Sequence, residues 1–405
     1  MSHDVSKSWA LYRESTRSLA QGSSTSSKAP TLEGAEPAQI VRGKGCRVWD
    51  ADGNEYIDYR NSLGPITLGY AVPEINAAIA AQLENGIIFG HPHPLEGEVA
   101  KLLVEALPCA ERVRFLKTGG EAIAACIKIA RNATGRNKVL QCGYNGWINT
   151  LSAGGFRPAG IAASRPEKGV PAAISALHAS LPWGDIEPWK AAFEKDGNDI
   201  AAAVVASNYA DMEKGAEFLP ALRKLTQEYG ALLIMDEIVT GFRLAVGGAQ
   251  EYFGFMPDMA VFGKGLANGM PISAYVGRAD LIDSARAVGI SSTFGGETLS
   301  LAAAKAAISF YREKDVIAHL WAMAGRLRQG LTAVFEKHAA PVRLRGLDVC
   351  AIFEFDDGFA ASFFDACYGH GVSFYNLPYV NYSHKESDID ETIGRVDAAL
   401  GDVGE

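Results

Sequence analysis

The sequence lacks the features that mark several classes of protein. Among its 405 residues, no stretch approaches the ~18 consecutive apolar residues of a membrane helix. The first thirty residues contain no apolar core of a secretory signal. The six cysteines are scattered singly, and without a C-x-x-C pair a zinc or redox site is disfavoured, so we expect no metal. We therefore expect a cytoplasmic protein with reduced thiols and no membrane partner.

An excess of basic residues is also missing. The chain has 38 Lys and Arg against 47 Asp and Glu, which gives a formal net charge of −9. Proteins that bind nucleic acid or anionic membranes usually carry a basic face. We therefore expect no nucleic-acid partner, although local basic positions remain available for small anions.

The middle of the chain contains alternating strand and helix patterns. Short apolar segments such as "RVRFLK", "KVLQC", "IAAAVVAS", "ALLIMD", "MAVFGK" and "SAYVGR" predict strands, and amphipathic segments such as "EAIAACIKIARNATG" and "LPALRKLTQEYG" predict helices between them. This alternation is typical of an α/β fold. The length exceeds the roughly 250–300 residues that one core supports, so a second domain is expected.

One predicted strand end carries a glycine pair. In "KTGGEA", Gly119 and Gly120 lie between a strand and a helix. Glycines at a helix start let backbone N–H groups approach an anion, and the helix dipole favours negative charge. The pattern matches neither G-x-G-x-x-G nor the P-loop, and a plain tight turn explains it equally well.

Two further strand ends carry ionisable groups. Lys264 in "GKGLANGMP" follows a buried strand, where partial desolvation would free its amine for Schiff-base chemistry, or it is a surface lysine in a glycine-rich turn. Asp236 ends the apolar segment "ALLIMD", and a buried carboxylate needs a cationic partner. A protonated pyridine nitrogen would serve. Pyridoxal phosphate requires an anion cradle, an amine and an acid, and the chain offers all three at strand ends.

The chain resembles the class III aminotransferases of pyridoxal-phosphate fold type I. The similarity is closest to the branch with glutamate-1-semialdehyde aminomutase and bacterial sugar aminotransferases. It rests on "VWDADGNEYIDY", "LGPITLGYAVPEI", "KTGGEA", "ARNATGR", "GYNGW", "LLIMDEIVTGFR", "GGAQEYFGFMPDMAVFGKGLANGMPISAYVGR" and "STFGGET". The resemblance implies a large domain with a mostly parallel seven-stranded sheet and a smaller α+β domain. We expect the small domain to combine residues 1–55 and 298–405, and the large cofactor-binding domain to span residues 56–297.

The resemblance also implies roles for individual residues. Lys264 matches the Schiff-base lysine, and Asp236 matches the acid that binds the pyridine nitrogen. The phosphate loop corresponds to Gly119 and Gly120, and Tyr144 matches the aromatic residue that packs on the cofactor ring. Thr293 matches the threonine that reaches the phosphate of the neighbouring subunit, which implies a homodimer with shared active sites. Glu237 and Arg243 occupy common family positions that we interpret as structural.

Several positions depart from the family pattern. The chain has Asn145 where Tyr-His-Gly is usual, Ala206 and Ser207 where Glu-Pro is usual, and "GGET" where "GGNP" is often found. These changes leave the cofactor chemistry intact and put the choice of substrate in doubt. Lys28 aligns loosely with an arginine of the aminomutase, so it either binds a substrate carboxylate or belongs to a polar loop.

The expected function is transfer of an amino group from an amino donor to an oxo acceptor. The missing glutamate and "TFGGETLS" favour a sugar-like or cyclic oxo acceptor in bacterial biosynthesis. An aminomutase of the glutamate-1-semialdehyde type is the alternative within the same chemistry. A non-catalytic relative predicts loss of Lys264 or Asp236, and both are present. A nicotinamide dehydrogenase would lack the absorbance near roughly 410–430 nm that the cofactor imparts.

Overall fold

The computed structural model describes residues 3–148, 169–356 and 358–403. It divides the chain into two compact units. The central unit is Glu74–Ile317, and the terminal unit combines Met1–Pro73 with Ala318–Glu405. No helix in the described ranges is long and apolar enough to cross a membrane.

The central unit is built on a seven-stranded sheet. The strands are β4 (Arg112–Leu116), β5 (Lys138–Cys142), β6 (His178–Ser180), β7 (Ile200–Ala206), β8 (Leu232–Asp236), β9 (Met259–Phe262) and β10 (Ser273–Gly277). Their order is β4-β10-β9-β8-β7-β5-β6. Only β10 runs antiparallel to its neighbours, so the predicted, mostly parallel sheet is confirmed.

Helices connect and cover these strands. In the described part of the central unit they are α2 (Pro73–Leu83, whose first residue belongs to the terminal unit), α3 (Pro94–Ala106), α4 (Gly119–Thr134), α5 (Ala172–Ser175), α6 (Glu187–Asp196), α7 (Gly215–Tyr229), α8 (Ala249–Tyr252), α9 (Ala279–Asp283) and α10 (Thr298–Glu313). Helix α4 ends at Gly135 and α7 at Gly230, both in the left-handed conformation that glycine adopts without strain.

The face of the sheet that packs on α4 also carries the predicted acid. Ala202, Val204 and Ile234 belong to the core cluster that includes the buried residues of α4. Side chains two residues apart lie on the same face of a strand. Asp236 therefore lies on the face covered by α4, and its neighbours in the parallel ladder are Ala206 on β7 and Val261 on β9.

The terminal unit combines both ends of the chain. Its four-stranded sheet contains β1 (Ile40–Lys44), β2 (Arg47–Asp50), β3 (Glu55–Asp58) and β13 (Val372–Ser373), and a separate hairpin pairs β11 (Val342–Arg345) with β12 (Ile352–Phe355). The helices are α1 (Ser6–Ser15), α11 (Val316–Lys337), α12 (Phe359–Gly369) and α13 (Glu386–Val403). The segment "DADGN", residues 50–54, forms the turn between β2 and β3.

The boundaries of these units differ from those expected at 55/56 and 297/298. Residues after 55 stay in the terminal unit because β3 pairs with β2 on one side and with β13 on the other. Helix α10 stays in the central unit, where the Tyr311 hydroxyl donates to the Gly265 carbonyl at 3.3 Å. Long-range pairing of this kind cannot be inferred from local composition.

Candidate active site

Four sequence-predicted residues or turns follow parallel strands at one edge of the central sheet. Asp236 is the last residue of β8, and Lys264 comes two residues after β9. Gly119 begins α4 shortly after β4, and Tyr144 comes two residues after β5. The carboxyl ends of parallel strands are where α/β sheets bind ligands.

Asp236 is a buried carboxylate with few partners from its own chain. Its exposed fraction is 7%, and the Ile238 N–H donates to Oδ1 at 3.0 Å. Burial raises the pKa of Asp236 to about 7, and the backbone bond and the positive charge of Lys264 offset part of that rise. A cation placed against this carboxylate would therefore be strongly favoured.

Ile238 brings the acid, the glycine pair and the lysine turn together. Its backbone bonds Asp236, and its Cδ1 lies 2.1 Å from the point that a Cβ on Gly119 would occupy. Its Cγ2 lies 3.8 Å from the corresponding point on Gly263, next to Lys264. The three motifs are therefore parts of one site.

The glycine pair opens a well-capped helix. Thr118 is the N-cap of α4, where its Oγ1 accepts from the Glu121 N–H at 3.4 Å and its own N–H donates to Glu121 Oε2 at 2.8 Å. The first N–H groups of a helix have no carbonyl partner within it and form a natural anion site. A Cβ on Gly119 would overlap Ile238, whereas one on Gly120 would make an ordinary 3.5 Å contact with Ile148.

Lys264 is held in an unusual backbone conformation. It is half-buried, has a φ of 44°, and begins the short 3-10 helix Lys264–Ala267. A non-glycine residue in the left-handed region persists only where the surroundings enforce it, and such residues are common at functional sites.

The turn after β5 contains Tyr144, whose exposed fraction is 51%. A Cβ on Gly146 in the same turn would lie 2.8 Å from the Gly120 Cα. The Tyr144 turn therefore packs against the glycine pair.

Glu237 is saturated by its own chain. It accepts the Thr240 hydroxyl, the Ala249 N–H at 2.8 Å and the Gln250 N–H at 2.9 Å. Burial raises its pKa to about 7, and these bonds oppose the rise. This carboxylate supports the loop after β8.

The departures from the family pattern also lie at this edge. Ala206 neighbours Asp236 in the ladder, and its carbonyl oxygen lies 2.7 Å from the point that a Cβ on Gly143 would occupy. The buried Asn145 amide donates to the Cys142 carbonyl at 3.2 Å. The region beside Asp236 toward β5 is therefore lined by small side chains.

The remaining predicted residues lie elsewhere. Thr293 is exposed in the segment before α10. Lys28 lies in the terminal unit, where its exposed Nζ donates to Ser62 Oγ at 3.2 Å. Across the three described ranges, no group of three His, Cys, Asp or Glu side chains could hold a metal ion.

The sequence reading missed one ion pair beside the glycine pair. Lys117 Nζ donates to Glu297 Oε2 at 2.9 Å, and both side chains are mostly buried. Lys117 of "KTGGEA" and Glu297 of "GGET" have opposite charges, but they are 180 residues apart, so local sequence patterns do not predict that they pair.

Comparisons with known proteins identify the family that the chain matches. The family model described as aminotransferase class-III matches residues 31–383. Glutamate-1-semialdehyde 2,1-aminomutase of Persephonella marina is 35% identical over 421 residues, which cover 97% of this chain and 98% of that protein. The same-named protein of Aquifex aeolicus is 33% identical over 427 residues, covering 98% and 100%.

Solved structures of pyridoxal-phosphate proteins share this fold. The FumI protein of Sphingopyxis sp. MTA144, in its pyridoxal-phosphate internal aldimine form, aligns with a TM-score of 0.88 at 29% identity, covering 98% of this chain and 96% of that one. A transaminase with pyridoxal phosphate bound aligns with a TM-score of 0.91 at 25% identity, covering 99% and 98%. The predicted fold type and cofactor are confirmed.

Proposed function

The chain belongs to the class III aminotransferase family, and from that premise we propose that it transfers an amino group from an amino donor to an oxo acceptor. The observation that supports this proposal most is the position of Asp236. A buried carboxylate with one backbone donor and a nearby lysine suits a positively charged ring nitrogen. The chain is a pyridoxal-phosphate enzyme by family and by structural similarity.

The residues at the strand ends fit this cofactor. The start of α4 at Gly119 and Gly120 would bind the phosphate through backbone N–H groups. The Asp236 carboxylate would accept a hydrogen bond from the protonated ring nitrogen, and Tyr144 would pack on the ring. When bound, pyridoxal phosphate supplies an aldehyde that condenses with amines and a ring that withdraws electrons from the reacting carbon.

Lys264 would serve as the attachment point of the cofactor and as the proton carrier. Its Nζ, once displaced by an amino donor, would remove the proton from the substrate carbon that bears the amino group. The same nitrogen would return that proton at the other end of the reaction. Lys264 lies close enough to Asp236 for its positive charge to lower the pKa of that carboxyl.

The acceptor is proposed to be sugar-like or cyclic. Ala206 supplies no charge beside Asp236, and Gly143 adds no side chain. Such a lining suits an acceptor with bulk and hydroxyl groups. Lys28 would bind a substrate carboxylate, because its hydrogen bond to the Ser62 hydroxyl leaves its charge uncompensated by that partner.

An intramolecular amino shift is the second candidate. It is favoured by the two curated relatives, which are named as glutamate-1-semialdehyde aminomutases and span nearly the full chain. The two reactions differ in their need for a donor. Mass spectrometry of products from a panel of oxo acceptors, with and without an added amino donor, separates them. Turnover that requires a donor supports amino transfer, and donor-independent isomerisation of glutamate-1-semialdehyde supports the alternative.

A homodimer is proposed as the working form. Ile87, Ile88, Phe89 and Phe294 are 40–57% exposed. The Thr298 N–H donates to the Ile87 carbonyl at 2.8 Å, which brings the chain that follows Thr293 and Phe294 to the segment of Ile87. Exposed apolar surfaces of this kind mark interaction sites. A second copy covering it would receive Thr293 at its phosphate site, and light scattering tests the assembly.

The cytoplasm is the proposed location. All six cysteines are buried free thiols, which suits a reducing compartment. Fractionation of the source cells with an antibody against this chain would test it.

The cofactor assignment has a direct test. Purified protein is loaded with pyridoxal phosphate, reduced with borohydride and digested, and the modified peptide is sequenced by mass spectrometry. Modification at Lys264 supports the proposal. Modification at another lysine, such as Lys117, would contradict it.

A further inference from the structure

The Lys117–Glu297 ion pair lies directly beside the glycine pair. Lys117 precedes the N-cap Thr118, and its Nζ donates to Glu297 Oε2 at 2.9 Å and to Ser300 Oγ at 3.3 Å. The side chains are only 16% and 12% exposed. Pairs this well shielded interact more strongly than surface pairs, and removing one partner leaves a poorly solvated charge.

Glu297 is fixed as an anion at the start of α10. Its Oε1 accepts the Leu299 N–H at 2.6 Å, and its Oε2 accepts the Ser300 N–H at 3.2 Å. Burial would raise its pKa, but hydrogen bonds from Ser300 and Lys117 hold the pKa of Glu297 below its ordinary value. Glu297 is therefore ionised at neutral pH.

The same contacts connect α10 to the glycine pair. The Lys117 N–H donates to Glu121 Oε2 at 3.3 Å, within the cap of α4. A Cβ on Gly295 would lie 2.8 Å from the Phe115 carbonyl oxygen on β4. The segment 291–297, which contains Thr293, therefore packs against the end of β4 next to the glycine pair.

We propose that Lys117 is a positioning residue for the cofactor phosphate. It neutralises the Glu297 carboxylate, which would otherwise repel an anion bound at the start of α4. This inference rests on the proposed function, because it requires that the start of α4 receives the phosphate. Its consequence is an asymmetry between the partners: loss of the cation leaves an anion that repels phosphate, whereas loss of the anion leaves a cation that does not.

The test compares Lys117→Met, Glu297→Gln and the double variant. Apo-protein is titrated with pyridoxal phosphate and, separately, with pyridoxal, and the Kd is read from the absorbance change. We expect Lys117→Met to weaken pyridoxal phosphate about tenfold or more, and Glu297→Gln to change it less than about threefold. The double variant should recover most of the affinity. Pyridoxal, which lacks the phosphate, should bind all variants alike.

Controls separate charge from loss of folding. Lys305→Met and Glu98→Gln remove an exposed pair on α10 and α3 and should leave both Kd values unchanged. Lys117→Arg keeps the charge and should bind like the wild type, even if Lys117→Met folds poorly. Added salt should shrink the Lys117→Met defect.

Some outcomes would overturn the inference. Equal weakening by Lys117→Met and Glu297→Gln, a matching loss of pyridoxal affinity, or no recovery in the double variant would show a structural pair only. A wild-type protein that binds no pyridoxal phosphate would instead refute the cofactor site, which is a separate failure.

Discussion

Asp236 and Glu237 are adjacent in sequence, and both are buried, yet their surroundings differ. Glu237 accepts three hydrogen bonds, from a hydroxyl and two backbone N–H groups of its own chain. Among the residues that the structure describes, one backbone N–H donates to Asp236, and the positive charge of Lys264 also lowers its pKa. Alternation along the chain explains the difference, because consecutive side chains leave a strand on opposite faces.

The comparison shows how burial alone can mislead. Burial raises the pKa of both carboxylates to about 7. The two carboxylates differ in the number of hydrogen bonds that they accept from the described residues. A carboxylate with several donors stabilises its loop, whereas one with few donors is available to a ligand. We therefore propose that Glu237 supports the fold and that Asp236 binds the cofactor.

Loss of Lys264 should have the largest effect on activity. Lys264→Ala removes the amine that the proposed reaction requires, so turnover should fall to background while the fold persists. Amino-transfer assays and circular dichroism check the two parts. Full activity of the Lys264→Ala protein would contradict the proposed cofactor site, in which Lys264 and Asp236 act together.

The pH dependence of stability should report the raised pKa of the Asp236 carboxyl. The folded-state pKa of Asp236 is raised, so the native apo-protein retains a proton that the unfolded chain loses above about pH 4. Its stability therefore falls as pH rises from about 4 to about 7 and then levels off. Asp236→Asn removes this loss, so the variant should gain about 2–4 kcal/mol relative to wild type between pH 5 and pH 8. Urea unfolding of both apo-proteins measures the difference in their unfolding free energies. A difference that does not change with pH would contradict the raised pKa of Asp236.

Thr293 should contribute across a subunit boundary. One hydroxyl bond to a phosphate is worth about 1.5–3 kcal/mol, so Thr293→Ala should weaken cofactor binding roughly ten- to a hundredfold. A mixed dimer of Lys264→Ala and Thr293→Ala chains tests the sharing. If the threonine crosses, one site is whole and about half of the wild-type activity returns at low cofactor. No recovery would place Thr293 at its own chain's site.

The two glycines should respond differently to alanine. Gly119→Ala forces a Cβ onto the Ile238 side chain, which also lies beside Asp236, and should destabilise the apo-protein by about 1–3 kcal/mol. Gly120→Ala makes only an ordinary 3.5 Å contact with Ile148 and should be neutral or stabilise by up to about 1 kcal/mol, because glycine is a poor helix residue. Thermal unfolding compares them, and equal effects would show that Ile238 does not join the motifs.

Parts of this picture could be predicted from the sequence. The apolar strand that ends in Asp236 indicated a buried acid, and the strand–helix alternation indicated the sheet. The contacts that distinguish the acids could not be predicted. Glu237 accepts hydrogen bonds from the N–H groups of Ala249 and Gln250, which are 12 and 13 residues later in the chain. Ile238 packs against Gly119, which is more than a hundred residues earlier. Such contacts depend on the folded arrangement of loops, which local patterns do not encode.

The central claim is that Asp236 serves the cofactor and Glu237 serves the fold. The most direct test is the increase in unfolding free energy that saturating pyridoxal phosphate gives each variant at pH 8. We predict that Asp236→Asn loses about 1.5–3 kcal/mol of this increase, the worth of a hydrogen bond to a charged group, while Glu237→Gln keeps it on a less stable apo-protein. An undiminished increase in Asp236→Asn, with a reduced one in Glu237→Gln, would contradict the account.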